Sequence, residues 1–522
     1  MSKRTRRELL ADVGKGMFLA SLGTGVAGDL GLSAAWAADD PGRVTFGDLE
    51  PLVAFMQETP PEKFLAAAVE KIASGTDLKT LVSAAALANA RAFGGEDYVG
   101  FHTLMALPPA FTMSGEETDA KAKPLAVLKV LYRNSSRLKE AGKEHADTLK
   151  PVTAGDVTKT PTGEQLRARV RKNDLPGAER TFEAICASGP PDAALDRLMM
   201  MVDDATEVHR VVLVSRAYEL LDFVGHRRAH ALLRQSVHYC ANAEKSAGYV
   251  SRSQEVRDLL PKLLDQHRLV SKPLGMKPAD DARVAELADV IYRSSAAQAA
   301  EAAAAALAEG TDPAAVGEAV SLAANQIVLR DAGRPKQWAQ PNKPVGSVHG
   351  DSPGVHACDS VLAWRAIAAA GDQRTRASSL VLAAYQVARD RGVRPEFLDK
   401  WTPYPRPEHL EAVRGVPANK LVAELEAAIR DKDQSRAAAL AHRVGAESSD
   451  AAGAVLAVCR KYAVSEDGAL HAEKYYRTTS HEFAATRPAF RWRQLVALAR
   501  VTASAYGQPA PGMDEARRLL KV

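Results

Sequence analysis

The phrase Asp97-Tyr98-Val99-Gly100-Phe101-His102 returns 254 positions later as Asp351-Ser352-Pro353-Gly354-Val355-His356. A chain that writes one frame twice is constrained to fold as two related halves, and further echoes extend the constraint. Gly75-Thr76-Asp77 is answered by Gly310-Thr311-Asp312, and Ala88-Asn89 by Ala324-Asn325. Arg171-Lys172-Asn173-Asp174 is answered by Arg430-Asp431-Lys432-Asp433, Glu207-Val208-His209 by Ala469-Leu470-His471, and Tyr218-Glu219 by His481-Glu482. The offset grows steadily from 235 to 263 along the chain, as a duplication with a few loop insertions would produce. The largest insertion falls at residues 331–348, just before the second frame, and a second irregular piece spans residues 391–417. Long loops of this kind serve as lids or binding loops, or as plain surface linkers.

Within each half the pattern is helical. Leu78, Leu81, Val82, Ala85 and Ala88 fall on the i, i+3, i+4 face of one helix, and residues 61–73 form another. Runs such as Ala302-Ala303-Ala304-Ala305-Ala306 favour helix because alanine loses no side-chain entropy there. No alternating strand-like run occurs. The expectation is an all-α protein of helical hairpins, internally duplicated, with halves at residues 38–290 and 291–522. In the second frame Ser352 and Pro353 read as N-cap and first helical residue, which puts His356 in a first turn.

The N-terminus reads differently. Thr5-Arg6-Arg7-Glu8-Leu9-Leu10 resembles a twin-arginine export signal, followed by a moderately apolar stretch and an Ala35-Trp36-Ala37 cleavage site. The stretch is too short to span a bilayer. Residues 1–37 are therefore expected to be removed by the export machinery, leaving a periplasmic or otherwise extracytoplasmic protein without a membrane anchor. The remaining chain carries 63 Lys+Arg against 61 Asp+Glu, so the pI near 8.7 gives no argument for nucleic acid. Cys186, Cys240, Cys358 and Cys459 are widely spaced in apolar helical patterns and read as small buried hydrophobes.

Histidine is the residue with chemistry to offer. His102 and His356 stand in the first repeated frame, and His209 and His471 in a later one. Glu219 and Glu482 follow ten or eleven residues on. If the halves face each other, four imidazoles and two carboxylates could build a centre for iron, manganese, copper or zinc. His226 and His230 stand at i and i+4, a spacing that can hold one metal on a helix face. No nucleotide-binding glycine motif, no nucleophile elbow, no His-Glu-x-x-His and no haem motif occurs.

Phe101-His102-Thr103-Leu104-Met105-Ala106-Leu107, His226-Arg227-Arg228-Ala229-His230 and Gly354-Val355-His356-Ala357 together resemble the questin-oxidase-like helical proteins, in the same order. The match covers about the central half of the chain. The chain departs from that pattern in carrying an export signal and in lacking an Asn before His102. The resemblance implies an oxygen-dependent oxidation of an aromatic, polyketide-like small molecule. Two expectations follow: an exported metal-dependent oxidoreductase with its site between the halves, or a non-enzymatic helical scaffold or binding protein whose histidines only pack.

Overall fold

The computed structural model describes residues 42–153, 161–393, 402–447 and 451–522; the export-signal reading of residues 1–37 lies outside these. The fold is all-α, 73% helical and without strands among the described residues. In chain order the first helices are α1 (Glu50–Glu58), α2 (Pro61–Ala73), α3 (Leu78–Phe93), α4 (Tyr98–Glu116) and α5 (Leu125–Glu140). Next come α6 (Gly163–Arg171), α7 (Leu175–Ala187), α8 (Pro191–Val202), α9 (Val208–Glu219), the single turn α10 (Leu221–Val224), α11 (Ala229–Glu244) and α12 (Ala247–Gln266). There follow α13 (Asp281–Arg293), α14 (Ala296–Ala308), α15 (Pro313–Arg330), α16 (Pro353–Ala370), α17 (Gln373–Gly392) and the short α18 (Pro407–Ala412). The chain ends with α19 (Leu421–Arg430), α20 (Gln434–Glu447), α21 (Ala452–Ser465), α22 (His471–Ala485), α23 (Trp492–Ala505) and α24 (Met513–Leu520). No helix is long and apolar enough to cross a membrane among the described residues.

At the centre, α4 and α9 pack on each other and α16 packs on α22, while α9 also packs on α16 and α4 on α22. These four helices close a ring. One continuous apolar core runs around them, from Phe46 to Ala516. Its alanines let backbones approach; Ala303, Ala304, Ala319 and Ala323 are fully buried.

The repeated frame earns its glycine by packing. A Cβ at Gly100 would lie 2.6 Å from the Phe93 ring, and one at Gly354 would lie 2.7 Å from the Val328 amide. In each case the glycine lets a central helix sit against the helix before it. The carboxylates of the frame diverge. Asp97 is the N-cap of α4, accepting from the Gly100 amide at 2.7 Å while Arg137 holds it at 2.6 Å. Asp351 instead receives Arg334 and Lys343 from the 331–348 insertion. Ser352 occupies the N-cap position with Pro353 behind it, but its hydroxyl does not cap the helix. It accepts from the His349 amide at 3.0 Å, tying down the turn before α16.

Candidate functional site

Each of the four central helices delivers one histidine near its N-terminus: His102 from α4, His209 from α9, His356 from α16 and His471 from α22. Their rings form a closed circuit. Centroids are 4.8 Å apart for His102 and His209, 5.2 Å for His102 and His471, 5.3 Å for His356 and His471, and 6.0 Å for His209 and His356.

Hydrogen bonding gives the ring nitrogens two different jobs. Nδ1 of His102 meets the Tyr98 carbonyl at 2.6 Å, Nδ1 of His209 meets Glu207 Oε1 at 2.6 Å, and Nδ1 of His471 meets the Ala469 carbonyl at 3.1 Å. A carbonyl or carboxylate can only accept, so these three rings carry their proton on Nδ1 and leave Nε2 as a bare lone pair. The Nε2 atoms of His102 and His209 are buried without a hydrogen-bond partner. Nε2 of His356 and Nε2 of His471 face each other at 3.3 Å. Tetrahedral metal–imidazole bonds of about 2.0–2.1 Å would set neighbouring nitrogens roughly 3.3 Å apart, so that one edge already has a ligand spacing. The other side of the circuit is wider. Among the described residues, no group of three or more His, Cys, Asp or Glu side chains has its donors gathered to hold a metal ion.

The surroundings keep three of the imidazoles, His102, His356 and His471, neutral. Burial, with the nearby charge of Lys474, lowers the pKa of His102 to about 2 and pushes that of His471 well down. Burial, then His209 and Lys474, bring His356 to about 3. Lys474 is itself buried one turn along α22 from His471, and burial lowers its pKa to about 8 despite Asp359 and Glu473. Glu473 pairs with Lys129 at 2.6 Å, both side chains fully inaccessible to solvent. Burial works to raise the pKa of Glu207, but hydrogen bonds from His209 and Tyr239 prevail and hold it at about 2. The carboxylate also receives the Arg210 amide at 3.1 Å and the Tyr239 hydroxyl at 2.6 Å, so three bonds fix the acceptor behind His209. Tyr98, largely exposed, lays its ring over His102 at 4.5 Å and meets His209 at 5.5 Å, which marks the solvent side of the cluster.

The remaining candidates lie elsewhere. Glu482 is buried and ion-paired with Arg365, and Glu219 pairs with Arg216 at 2.6 Å and Arg477 at 3.7 Å. Both carboxylates are taken up by arginines. His226 and His230 do not share a helical face: Gly225, at φ +85°, breaks the chain into a 3-10 turn at His226, and α11 begins only at Ala229. His226 is exposed beside Asp222, whereas His230 bonds Glu183. The sequence reading missed Glu207 and Lys474. Both carried a signal, Glu207 two residues before one cluster histidine and Lys474 three after another, on the same helix face. The four cysteines are free thiols, three of them buried.

Comparison with protein-family models, with curated proteins and with solved structures finds no match for this chain.

Proposed function

We propose that the chain is an exported metal-dependent oxidoreductase whose centre is held by His102, His209, His356 and His471. The observation that carries the reading is the division of labour among the ring nitrogens, with three Nδ1 atoms tied and the Nε2 atoms turned inward. Metal-binding histidines are oriented in this way, by an acceptor on the nitrogen that does not bind. Two buried lone pairs without a partner are otherwise a cost of about 1–3 kcal/mol each. Neutral imidazole suits iron, copper and zinc, and manganese belongs to the candidate set through its tolerance of nitrogen and oxygen ligands. A redox-active metal would supply electron transfer at this point. Glu207 orients His209, Lys474 disfavours protonation of the rings, and Tyr98 screens the mouth. The three stretches resembling questin-oxidase-like proteins point to the same class of chemistry, and two of them contribute His102 and His356.

Packing supports the duplicated reading of the fold. Helices α1 to α9 find counterparts in α13 to α17, α19 to α22, with α10 and α18 unmatched; α11 corresponds to α23, and α12 to α24. Under that pairing α9 on α16 becomes α22 on α4, and α4 on α9 becomes α16 on α22. The last helix of each half crosses over: α12 packs on α14 and α17, and α24 packs on α2 and α5. The junction then falls before α13 rather than at residue 290, inside that helix. The scaffold alternative expects each histidine buried singly and far from the others, and the 3.3 Å approach of His356 and His471 speaks against it.

The test is elemental analysis of protein purified without chelator. Near-stoichiometric iron, manganese or copper is expected, lost in His102→Ala and His356→Ala. A folded wild type free of metal sinks the reading, and zinc alone would keep the site but overturn the oxidoreductase assignment.

A further inference from the structure

One turn beyond the histidine circuit the central helices carry a second layer. Three residues after each histidine stand Met105, Val212, Asp359 and Lys474, a rise of about 4.5 Å along each helix. All four side chains are buried. In the register of the two halves these are matched positions, yet the first half fills them with apolar side chains and the second with a carboxylate and an amine. Packing does not call for that pair, because apolar residues of similar volume avoid the cost of desolvating two charges.

Lys474 and Asp359 act on each other more strongly than any other charge acts on either. They nevertheless form no direct ion pair. Among the described residues the Lys474 amine has no hydrogen-bond partner, and the Asp359 carboxylate receives only the Thr478 hydroxyl, at 2.7 Å on Oδ1. Nζ of Lys474 and Oδ2 of Asp359 are not sealed by packing either. Each keeps contact with a solvent-sized space, although the residues are only 4% and 5% exposed. Farther along, Glu219 of α9 and Arg477 of α22 pair at 3.7 Å from helices on opposite sides of the ring. Their side chains are 28% and 25% exposed, so this end of the ring meets solvent on the side away from Tyr98.

A group that bridges Lys474 and Asp359 has to accept a hydrogen bond from one and donate to the other. Asp359 repels a carboxylate and Lys474 repels an ammonium, while an ether leaves the carboxylate without a donor. If the proton moves from Lys474 to Asp359, donor and acceptor exchange places and the requirement stays the same. A hydroxyl meets it with a single oxygen. We propose that Asp359 and Lys474 hold the hydroxyl group of an alcohol or phenol, the compound on which the four-histidine centre acts. The assignment rests on the oxidoreductase reading of that centre and adds the end by which its substrate is recognised.

The probes are phenol, its methyl ether anisole, benzylamine and benzoate, titrated calorimetrically into the full chain. Phenol should bind at least about tenfold more tightly than anisole, the weight of one hydrogen bond to a charged group, with benzylamine and benzoate weaker than phenol. In crystals soaked with phenol its oxygen should lie between Lys474 Nζ and Asp359 Oδ2. Lys474→Met should abolish the preference for phenol over anisole. The double variant Asp359→Asn, Lys474→Met should do the same, and it leaves no unpaired buried charge to compromise folding. Equal binding of phenol and anisole, phenol seated elsewhere, water that stays between the two groups at saturating phenol, or a preference that survives in the folded double variant each overturns the proposal. Elemental analysis separates the two readings. Phenol held between Asp359 and Lys474 in protein free of metal defeats the oxidoreductase centre and the substrate role with it, whereas bound metal without a phenol preference defeats the hydroxyl site alone.

Discussion

Two groups of histidines in this molecule use the same side chain to opposite ends. In the central circuit, three Nδ1 atoms are bound to acceptors and no carboxylate meets an Nε2 atom within hydrogen-bond reach among the contacts described above. On the pair α7 and α11, Glu179 and Glu183 stand one turn apart and face His230, Arg234 and His238, also spaced one turn apart. There His238 meets Glu96 at 2.7 Å through Nδ1 and Glu179 at 2.8 Å through Nε2. Burial lowers the pKa of His238, but the two carboxylates outweigh it and raise the pKa overall. Both groups are buried. Their difference is clearest at His238, both of whose ring nitrogens meet carboxylates, whereas Nε2 of His102 and of His209, like that of His230, is buried without a partner; such an atom calls for an explanation that a satisfied one does not.

The sharpest way to break this comparison is to remove one ring from each group. His209→Ala and His471→Ala should each lose essentially all bound metal by elemental analysis, while His238→Ala keeps it. Equal metal in all three variants would erase the distinction. The same His238→Ala change should cost more in stability than it does in binding. It strips Glu179 of its nearest donor, and urea unfolding should show a loss of about 2 kcal/mol. That lies below the 3–5 kcal/mol of a fully buried pair because the Glu96 carboxylate is more than a third exposed.

How much of this could be read beforehand depends on which distances in the chain set the answer. Helix periodicity is local, so the helix over residues 61–73 was legible to the residue and the next, read as 77–93, to within one residue, Asp77 being its cap. Pairing His102 with His356, and His209 with His471, needed only the repeat. Whether the two pairs meet depends on how the helices cross, which no local pattern encodes. Glu219 and Glu482 show the limit. Their spacing from the histidines suited a ligand, but Arg216 and Arg365 compete for them, and a full guanidinium charge wins a buried carboxylate. His226 and His230 failed for a local reason that was visible, the Gly225 before them. Ser352 is the N-cap with Pro353 first in the helix, as read, but its hydroxyl accepts from the His349 amide and closes the turn instead of capping the helix.

A subtler contrast separates the acceptors behind the circuit. His209 has a carboxylate, Glu207, where His471 has the Ala469 carbonyl. Glu207→Gln keeps the shape and an acceptor oxygen but removes the charge. Loss of such a partner weakens metal binding 10–100-fold, and the lower end, about 10-fold, is expected here because the amide oxygen can still accept. Competition with a chromophoric chelator measures it. A metal affinity equal to wild type would mean that Glu207 only caps α9, through the Arg210 amide.

The smallest effect concerns pH, and its sign follows from the two carboxylates on His238. The groups that face this ring are Glu96 from the turn before α4, Glu179 from α7, and Arg234 on its own helix, with His230 and Glu183 a further turn away and Lys245 near Glu96. The folded pKa of His238 lies above its unfolded value of about 6.5. Its protonated form therefore contributes stability fully below pH 6.5, and that contribution fades as pH rises through the folded pKa. His230 runs the other way: burial lowers its pKa despite Glu183, so it costs stability only on the acid side of 6.5. Melting curves of wild type and His238→Gln at constant ionic strength should accordingly converge as pH climbs above 6.5, with the larger gap at lower pH. A gap that widens with rising pH would mean that the ring is neutral in the folded state, and the contrast between the two histidine groups would lose its electrostatic basis.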